Sequence, residues 1–202
     1  MDSLNFLDLE KSLGSGRYFH YISAKFLTLE KTIVLFAHPF LEHSVFNTQV
    51  IELYKTNAQV TFRDLYEDYP DFHIAAFRER KRIKGYSKII FHFPLIWLNI
   101  PPLLSLWMSE VLDMRWLNRL NESPLKDKRA LIVVSTGGSD MAFSPQGVYG
   151  SSVEDFLKPL TKSLELTGVS IEGIVTTHTA KQQGNDAVNQ VKAEIQQFLN
   201  SN

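Results

Sequence analysis

The sequence predicts an α/β fold: a doubly wound parallel sheet of five strands, in the order 2-1-3-4-5, with helices on both faces. Three observations predict it. Short apolar runs alternate five times with segments of helical period between residues 31 and 199, and strands separated by helices pair in parallel through right-handed crossovers. Three of the runs, at 31–38, 87–93 and 129–136, are the most apolar, as interior parallel strands covered on both faces are. The run at 58–65 carries Thr61, Arg63 and Asp64, which suits an edge.

The elements follow in order. KTIVLFAH (31–38) is a β-branched run that ends in a turn. Val45, Phe46, Val50, Ile51 and Tyr54 recur at the spacing of one helix face and predict a helix over 44–54. AQVTFRDL (58–65) alternates and reads as the second strand, and LYEDYPDFH (65–73) reads as a loop. A highly charged helix is expected over 74–85 and a buried third strand over 87–93. The next helix, over 102–112, begins with a proline whose missing N–H does no harm in a first turn. RALIVVST (129–136) is the fourth strand. An amphipathic helix over 152–167 runs into Gly168, a C-cap. VSIEGIVTTH (169–178) is the fifth strand, and 184–199 the last helix. The resulting order is the flavodoxin-like arrangement. The domain is expected over 31–202, with residues 1–30 as an N-terminal extension of undecided structure: an extra strand or helix, an arm on a partner subunit, or a disordered leader.

Composition excludes several classes. The chain has 202 residues, 44% of them hydrophobic, enough for one sizeable core. Its net charge of −1 offers no global attraction to nucleic acid, and no nucleic-acid partner is expected. The basic cluster from Arg78 to Lys84 reads as a solvated helix face. With no cysteine, disulfides, thiolate metal sites and cysteine nucleophiles are excluded, and no metal centre is expected. The start, MDSLNFLDLEKS, carries acids and lacks the basic and apolar regions of a secretory signal, so a cytoplasmic location is expected. The stretch 89–109 has no charged residue, but Pro94, Pro101 and Pro102 break it into a strand, a loop and a buried helix rather than a membrane span.

In such a sheet, ligands bind beyond the carboxyl ends of the strands, at the switch point between the first and third. Three loops meet there: AHPFLEHSVFN (37–47), PLIWLNIPP (94–102) and STGGSDMAF (135–143). The first leads into a helix whose amino-terminal N–H groups favour a phosphate, with His38, Ser44 and Asn47 as added donors. Taken alone, Ser44 is equally an N-cap and Asn47 a surface residue. Neither G-x-G-x-x-G nor the P-loop pattern is present, which argues against a dinucleotide fingerprint and a P-loop NTPase. The second loop is apolar and proline-rich, able to lie flat against an aromatic ring. Its Trp97 reads as ligand contact or as core, whereas Trp107 reads as core. The third supplies Ser135, Thr136, Gly137 and Gly138, where glycine lets a backbone come close to a ligand. Together they describe a site for a flat heterocycle with a phosphate tail.

With these loops the chain resembles the flavodoxin-like NAD(P)H:quinone oxidoreductases, a family that includes the ancillary oxidoreductases of glutathione-gated potassium-efflux systems. AHP at 37–39, S-x-x-N at 44–47, LYEDYPDFH at 65–73, P-x-x-W at 94–97, IPPLLSLWMSEVL at 100–112 and TGG at 136–138 carry the resemblance. It implies an FMN or FAD at a homodimer interface. It further implies ping-pong transfer of a hydride from NADPH or NADH to flavin N5 and on to a quinone-type acceptor. By the same resemblance His38, Ser44, Phe46 and Asn47 surround the phosphate and ribityl chain. Pro94, Leu95, Ile96, Trp97 and Leu98 line the ring, with the N–H groups of Trp97 and Leu98 near its N5 and O4 edge. Ser135, Thr136, Gly137 and Gly138 cover the pyrimidine end, where donors stabilise the charge that develops on reduction. Trp97 and Tyr149 are the residues expected nearest the chemistry.

The chain also departs from that family. Many members place a Tyr and a His after TGG, where this sequence has Phe143 and Tyr149. Phe143 cannot donate a hydrogen bond, and Tyr149 can donate one but cannot take a positive charge. Others carry a Gly-x-Ala-Tyr-Gly segment beside the substrate. Here the chain reads DMRWLNRLNESPLKDK (113–128), from which Arg115 and Trp116 would line the acceptor pocket. Two alternatives stand beside the quinone reductase: a flavin- or nucleotide-binding regulatory subunit of a partner such as a potassium-efflux transporter, and an azo- or nitro-compound reductase. The apolar helix IPPLLSLWM (100–108) suits homodimer burial or partner docking.

Overall fold

A computed structural model of the chain describes residues 31–178 and 184–201, so the extension expected over 1–30 lies outside the described residues. The strands are β1 (Thr32–Phe36), β2 (Val60–Asp64), β3 (Lys88–Pro94), β4 (Arg129–Ser135) and β5 (Ser170–Thr177). The helices are α1 (Val45–Thr56), α2 (Leu65–Asp68), α3 (Ala76–Ile83), α4 (Pro102–Val111), α5 (Val153–Leu166) and α6 (Asn185–Asn200). The sheet order is β2-β1-β3-β4-β5, and every pairing is parallel. The strand-to-strand register sets Phe36 beside His92 and Pro94 beside Ser135.

Alternation along the strands builds two cores. Leu35, Phe91, Phe93 and Ile132 face α4 and α5, where Leu103, Trp107 and Leu157 are buried. Val34, Phe36, Ile90 and Val133 face α1 and α6, against Val50, Tyr54, Val191 and Ile195. Local chemistry sets the ends of α5. The Ser152 hydroxyl accepts from the Asp155 N–H and the Asp155 carboxylate accepts from the Ser152 N–H, a capping box. At its other end Gly168 takes φ +90°, a left-handed stop that a side chain would strain.

Two expectations change here. The segment 65–73 opens with a one-turn helix, α2, held by the Asp64 side chain accepting the Tyr66 N–H at 2.9 Å. A single turn made by a cap has no apolar period to betray it. The apolar residues of α4 are already in use: Leu103, Leu104, Trp107, Met108 and Val111 are buried in the chain's own core. The exposed apolar side chains lie just past that helix instead. Met114 and Leu117 with Leu166 line a shallow groove of about 390 Å³. No helix among the described residues is long and apolar enough to cross a membrane.

The buried charges of the core are satisfied in detail. Glu79 of α3 is fully buried. Tyr69 donates to one of its oxygens at 2.7 Å and the Trp107 indole N–H to the other at 3.0 Å, while Arg63 and Arg82 pair with it. The ammonium of Lys88 donates to the carbonyls of Phe198 (3.1 Å) and Leu199 (3.0 Å), in the last turn of α6. The basic cluster is thus partly structural. Arg80 donates to the carbonyls of Glu110 and Val111, both at 2.8 Å, and stacks over Trp116.

Glu79→Ala leaves two buried donors, the Tyr69 hydroxyl and the Trp107 indole N–H, without their acceptor, and leaves Arg63 paired with Asp68 alone. It is expected to lower the unfolding free energy by about 3 kcal/mol, read as a fall in the urea midpoint at unchanged slope. Glu79→Gln keeps an acceptor oxygen and is expected to cost about half as much.

Candidate functional site

β1, β3 and β4 end side by side, and their loops close around a cavity of about 410 Å³, a size suited to a small ligand. His38, Ser44, Asn47, the run from Pro94 to Trp97, and Ser135, Thr136 and Gly137 line it, joined by Phe40 and His43. At one end lies the amino terminus of α1. The amides of Val45, Phe46 and Asn47 have no hydrogen-bond partner among the described residues, as is usual for a first helical turn. Ser44 occupies the N-cap position, but its hydroxyl does not cap the helix; it accepts from the Asn47 amide at 2.8 Å. Burial lowers His38 to about 4, against the smaller opposing pull of Glu42. The imidazole is therefore neutral at pH 7. Its Nδ1 accepts the Phe40 N–H at 3.2 Å, which leaves Nε2–H as its donor.

The other end is built by the loop after β3. Leu95 N–H donates to the Ser135 carbonyl at 2.8 Å, which ties this loop to β4. Ile96 and Asn99 then exchange both backbone hydrogen bonds, at 2.8 and 3.0 Å, around a two-residue turn. Its central residues, Trp97 (φ +49°) and Leu98 (φ +61°), are both left-handed, a conformation that usually calls for Asn or Gly. Two bulky apolar residues there cost about 1–2 kcal/mol each. Their own N–H groups have no acceptor among the described residues, and the Trp97 side chain is 96% exposed. Of its two readings, core packing is excluded. Trp107, by contrast, is fully buried.

The loop after β4 divides at its two glycines. A Cβ on Gly137 would meet nothing within 4 Å, so the backbone there opens on free space. A Cβ on Gly138 would stand 2.8 Å from the Phe143 ring and 3.1 Å from that of Tyr149. Gly138 is small for that aromatic pair, whose centroids are 4.6 Å apart. An imidazole does reach this corner, from the end of β5. His178 lies 5.6 Å from the Phe143 ring and its Nε2 is 3.5 Å from Asp140.

Other expected residues lie elsewhere. Phe46 is buried in the core between the sheet and α1, so only its backbone is at the site. Leu98, Gly138, Phe143 and Tyr149 stand beside the cavity rather than lining it. Arg115 and Trp116 are not brought to it within this chain, because α4 has already carried the chain back toward the amino edge. There Trp116 is buried beneath Arg80, and Arg115 pairs with Asp113 at 2.6 Å. Sequence reasoning missed Phe40 and His43, which one 3-10 turn (Leu41–His43) folds over the cavity. It also missed His92 and Tyr54, which lie under the floor. The signal was His92, a polar residue inside the apolar stretch IIFHF (89–93), since a buried imidazole requires partners.

The donors left without partners suit a phosphate and the edge of a heterocycle, and the open backbone at Gly137 leaves room for a ring. The match to known proteins agrees. The family model described as flavodoxin-like fold covers residues 30–199. An oxidoreductase of Bacillus subtilis strain 168, the uncharacterized NAD(P)H oxidoreductase YdeQ, is 33% identical over 140 residues, 69% of this chain and 71% of that protein. The glutathione-regulated potassium-efflux system ancillary protein KefF of Citrobacter koseri is 36% identical over 112 residues, 55% of this chain and 64% of that protein. The crystal structure of general stress protein 14 from Treponema denticola, in complex with FMN, superposes with a TM-score of 0.72 at 26% identity, over 84% of this chain and 95% of that one. With the match running through all five strands and the three loops at their carboxyl ends, the chain belongs to the flavodoxin-like family (Flavodoxin_2), within which its motifs resemble the NAD(P)H oxidoreductases.

Proposed function

We propose that the protein is a flavin-dependent NAD(P)H oxidoreductase that binds FMN at the carboxyl edge of its sheet and reduces a quinone-type acceptor. One observation carries the reading. A single cavity has unpaired phosphate-type donors at the head of α1 and, across it, an apolar turn with two free N–H groups beside an open glycine. When bound, the flavin supplies the redox chemistry, accepting a hydride from NADPH or NADH and passing it to the acceptor. The chain binds, orients and tunes it. The amides of α1, Ser44 and the His38 Nε2–H hold the phosphate. The rigid turn at Trp97 and Leu98 meets the ring edge, and Trp97 presents an aromatic surface at the mouth of the site. Thr136 and Gly137 cover the pyrimidine end, with Tyr149 the hydroxyl donor nearby. FMN is favoured over FAD by the relative that holds it.

The groove of Met114, Leu117 and Leu166 supports a homodimer, through which Arg115 would approach the pocket of a second copy. The potassium-efflux relative supports a second reading, in which the same flavin site serves a regulatory subunit of a membrane transporter. A nicotinamide-dependent reductase of this kind works in the cytoplasm.

Protein purified without added cofactor is expected to be yellow, and anaerobic NADPH or NADH to bleach it. Colourless protein that takes up neither FMN nor FAD contradicts the flavin reading, and bound flavin that neither nucleotide reduces favours the regulatory one. Asn47→Ala is expected to weaken FMN binding about tenfold or more with the fold retained, since it loosens Ser44 and Ser135 together. Unchanged affinity would refute its role. FMN affinity should also depend on pH. His38 is neutral in the free protein, and a phosphate dianion beside it raises its pKa, so binding takes up a proton. Titrations from about pH 7 down to pH 5 should show the wild-type protein gaining affinity relative to His38→Gln, a comparison in which protonation of the phosphate itself cancels.

A further inference from the structure

Beneath the cavity runs a chain of buried side chains. The Tyr54 hydroxyl is 3.2 Å from His92 Nδ1. His92 Nε2 is 2.9 Å from Asn47 Oδ1. The Asn47 amide nitrogen is 2.8 Å from Ser44 Oγ and 3.0 Å from Ser135 Oγ. Tyr54, His92 and Asn47 are each 1% exposed or less, and Ser135 is 3% exposed.

Only one direction of donation satisfies this chain. The Tyr54 proton must be donated, and His92 Nδ1 is its one acceptor among the described residues. Burial pushes the Tyr54 phenol up, away from ionisation, and lowers His92 to about 3, so the imidazole is neutral with one proton. An Nδ1 that accepts leaves that proton on Nε2. Nε2–H then requires an acceptor, which sets Asn47 Oδ1 toward it and the amide NH2 toward the two serines. Both hydroxyl oxygens accept from Asn47, so both hydroxyl protons are left over. Neither has another partner among the described residues, and both serines line the cavity. The opposite direction would leave the buried Tyr54 proton with no acceptor, at a cost of about 1–3 kcal/mol.

We infer that Tyr54 and His92 are positioning residues whose one-way relay through Asn47 makes Ser44 and Ser135 obligate donors into the cavity, so that this part of the site selects groups that accept hydrogen bonds. The flavin oxygens as those groups rest on the proposed function; the direction of the relay does not. His92 acts through Asn47 and touches no ligand itself. Its substitution therefore changes which way Asn47 points rather than removing a contact.

Two measurements test this. In the flavin-free wild-type protein, imidazole nitrogen NMR should find His92 as the Nε2–H tautomer throughout about pH 5 to 8. An Nδ1–H tautomer, or titration within that range, overturns the relay. In FMN titrations His92→Leu should raise the dissociation constant about tenfold or more. His92→Gln can donate to Asn47 and accept from Tyr54, and should stay within about threefold of wild type. Wild-type affinity in His92→Leu, or equal loss in both variants, overturns the inference. If the wild-type protein binds no FMN, the flavin reading fails, and the tautomer alone decides the relay.

Discussion

The register of β3 between β1 and β4 is the constraint on which the rest of the structure depends. Side chains on a strand alternate, so a slip of one residue would exchange its two faces. Phe91 and Phe93 are fully buried against α4 and α5, and each is worth about 2–3 kcal/mol in that position. They leave His92 no direction but toward α1, where Tyr54 and Asn47 wait. The same register sets Pro94 beside Ser135 and lets Leu95 bond to the Ser135 carbonyl. Apolar packing on one face of a strand thus places a polar relay on the other, and the loop after the strand at the mouth of the site.

The core and the carboxyl edge of the sheet handle polar groups in opposite ways. Glu79, between α3 and α4, and Lys88, at the start of β3, are buried and paired with several partners each, as a buried charge must be. At the carboxyl edge, donors gather without acceptors among the described residues: the first amides of α1, those of Trp97 and Leu98, and two serine protons. Away from the cavity, the buried side-chain oxygens without a partner among the described residues are those of Ser87 and Thr176. Unsatisfied donors concentrated in one apolar-walled cavity mark where a ligand rich in acceptors completes the fold's hydrogen bonding. The left-handed pair Trp97 and Leu98 adds backbone strain at the same place, where strain is most often put to use.

Much of this was legible in the sequence because it rests on period and composition. The high apolar content of 31–38, 87–93 and 129–136 marked the central strands, and Arg63 and Asp64 marked the edge. The three site loops were legible because fold topology dictates where strands end. What escaped depends on contacts distant in sequence or on single turns. Asn47 and His92 are separated by 45 positions, and nothing local in either reveals the other. Gly138 looked like Gly137, yet it is small because of Phe143 and Tyr149. Arg115 and Trp116 follow α4 in sequence, but the length of that helix takes them to the far edge. α4 read both as a buried helix and as a surface for a partner, and its apolar residues are core, because a helix apolar on most sides carries no mark of which side meets its own sheet.

The central claim is that the carboxyl-edge cavity is a flavin site whose polarity the buried relay sets. A crystal structure of the protein with FMN tests it most directly. The account predicts the phosphate over the amino end of α1, within hydrogen-bond distance of Ser44. It also predicts the ring across the turn at Trp97 and Leu98, with its pyrimidine edge against Thr136 and Gly137. A flavin bound elsewhere, or one whose phosphate points away from α1, would contradict it.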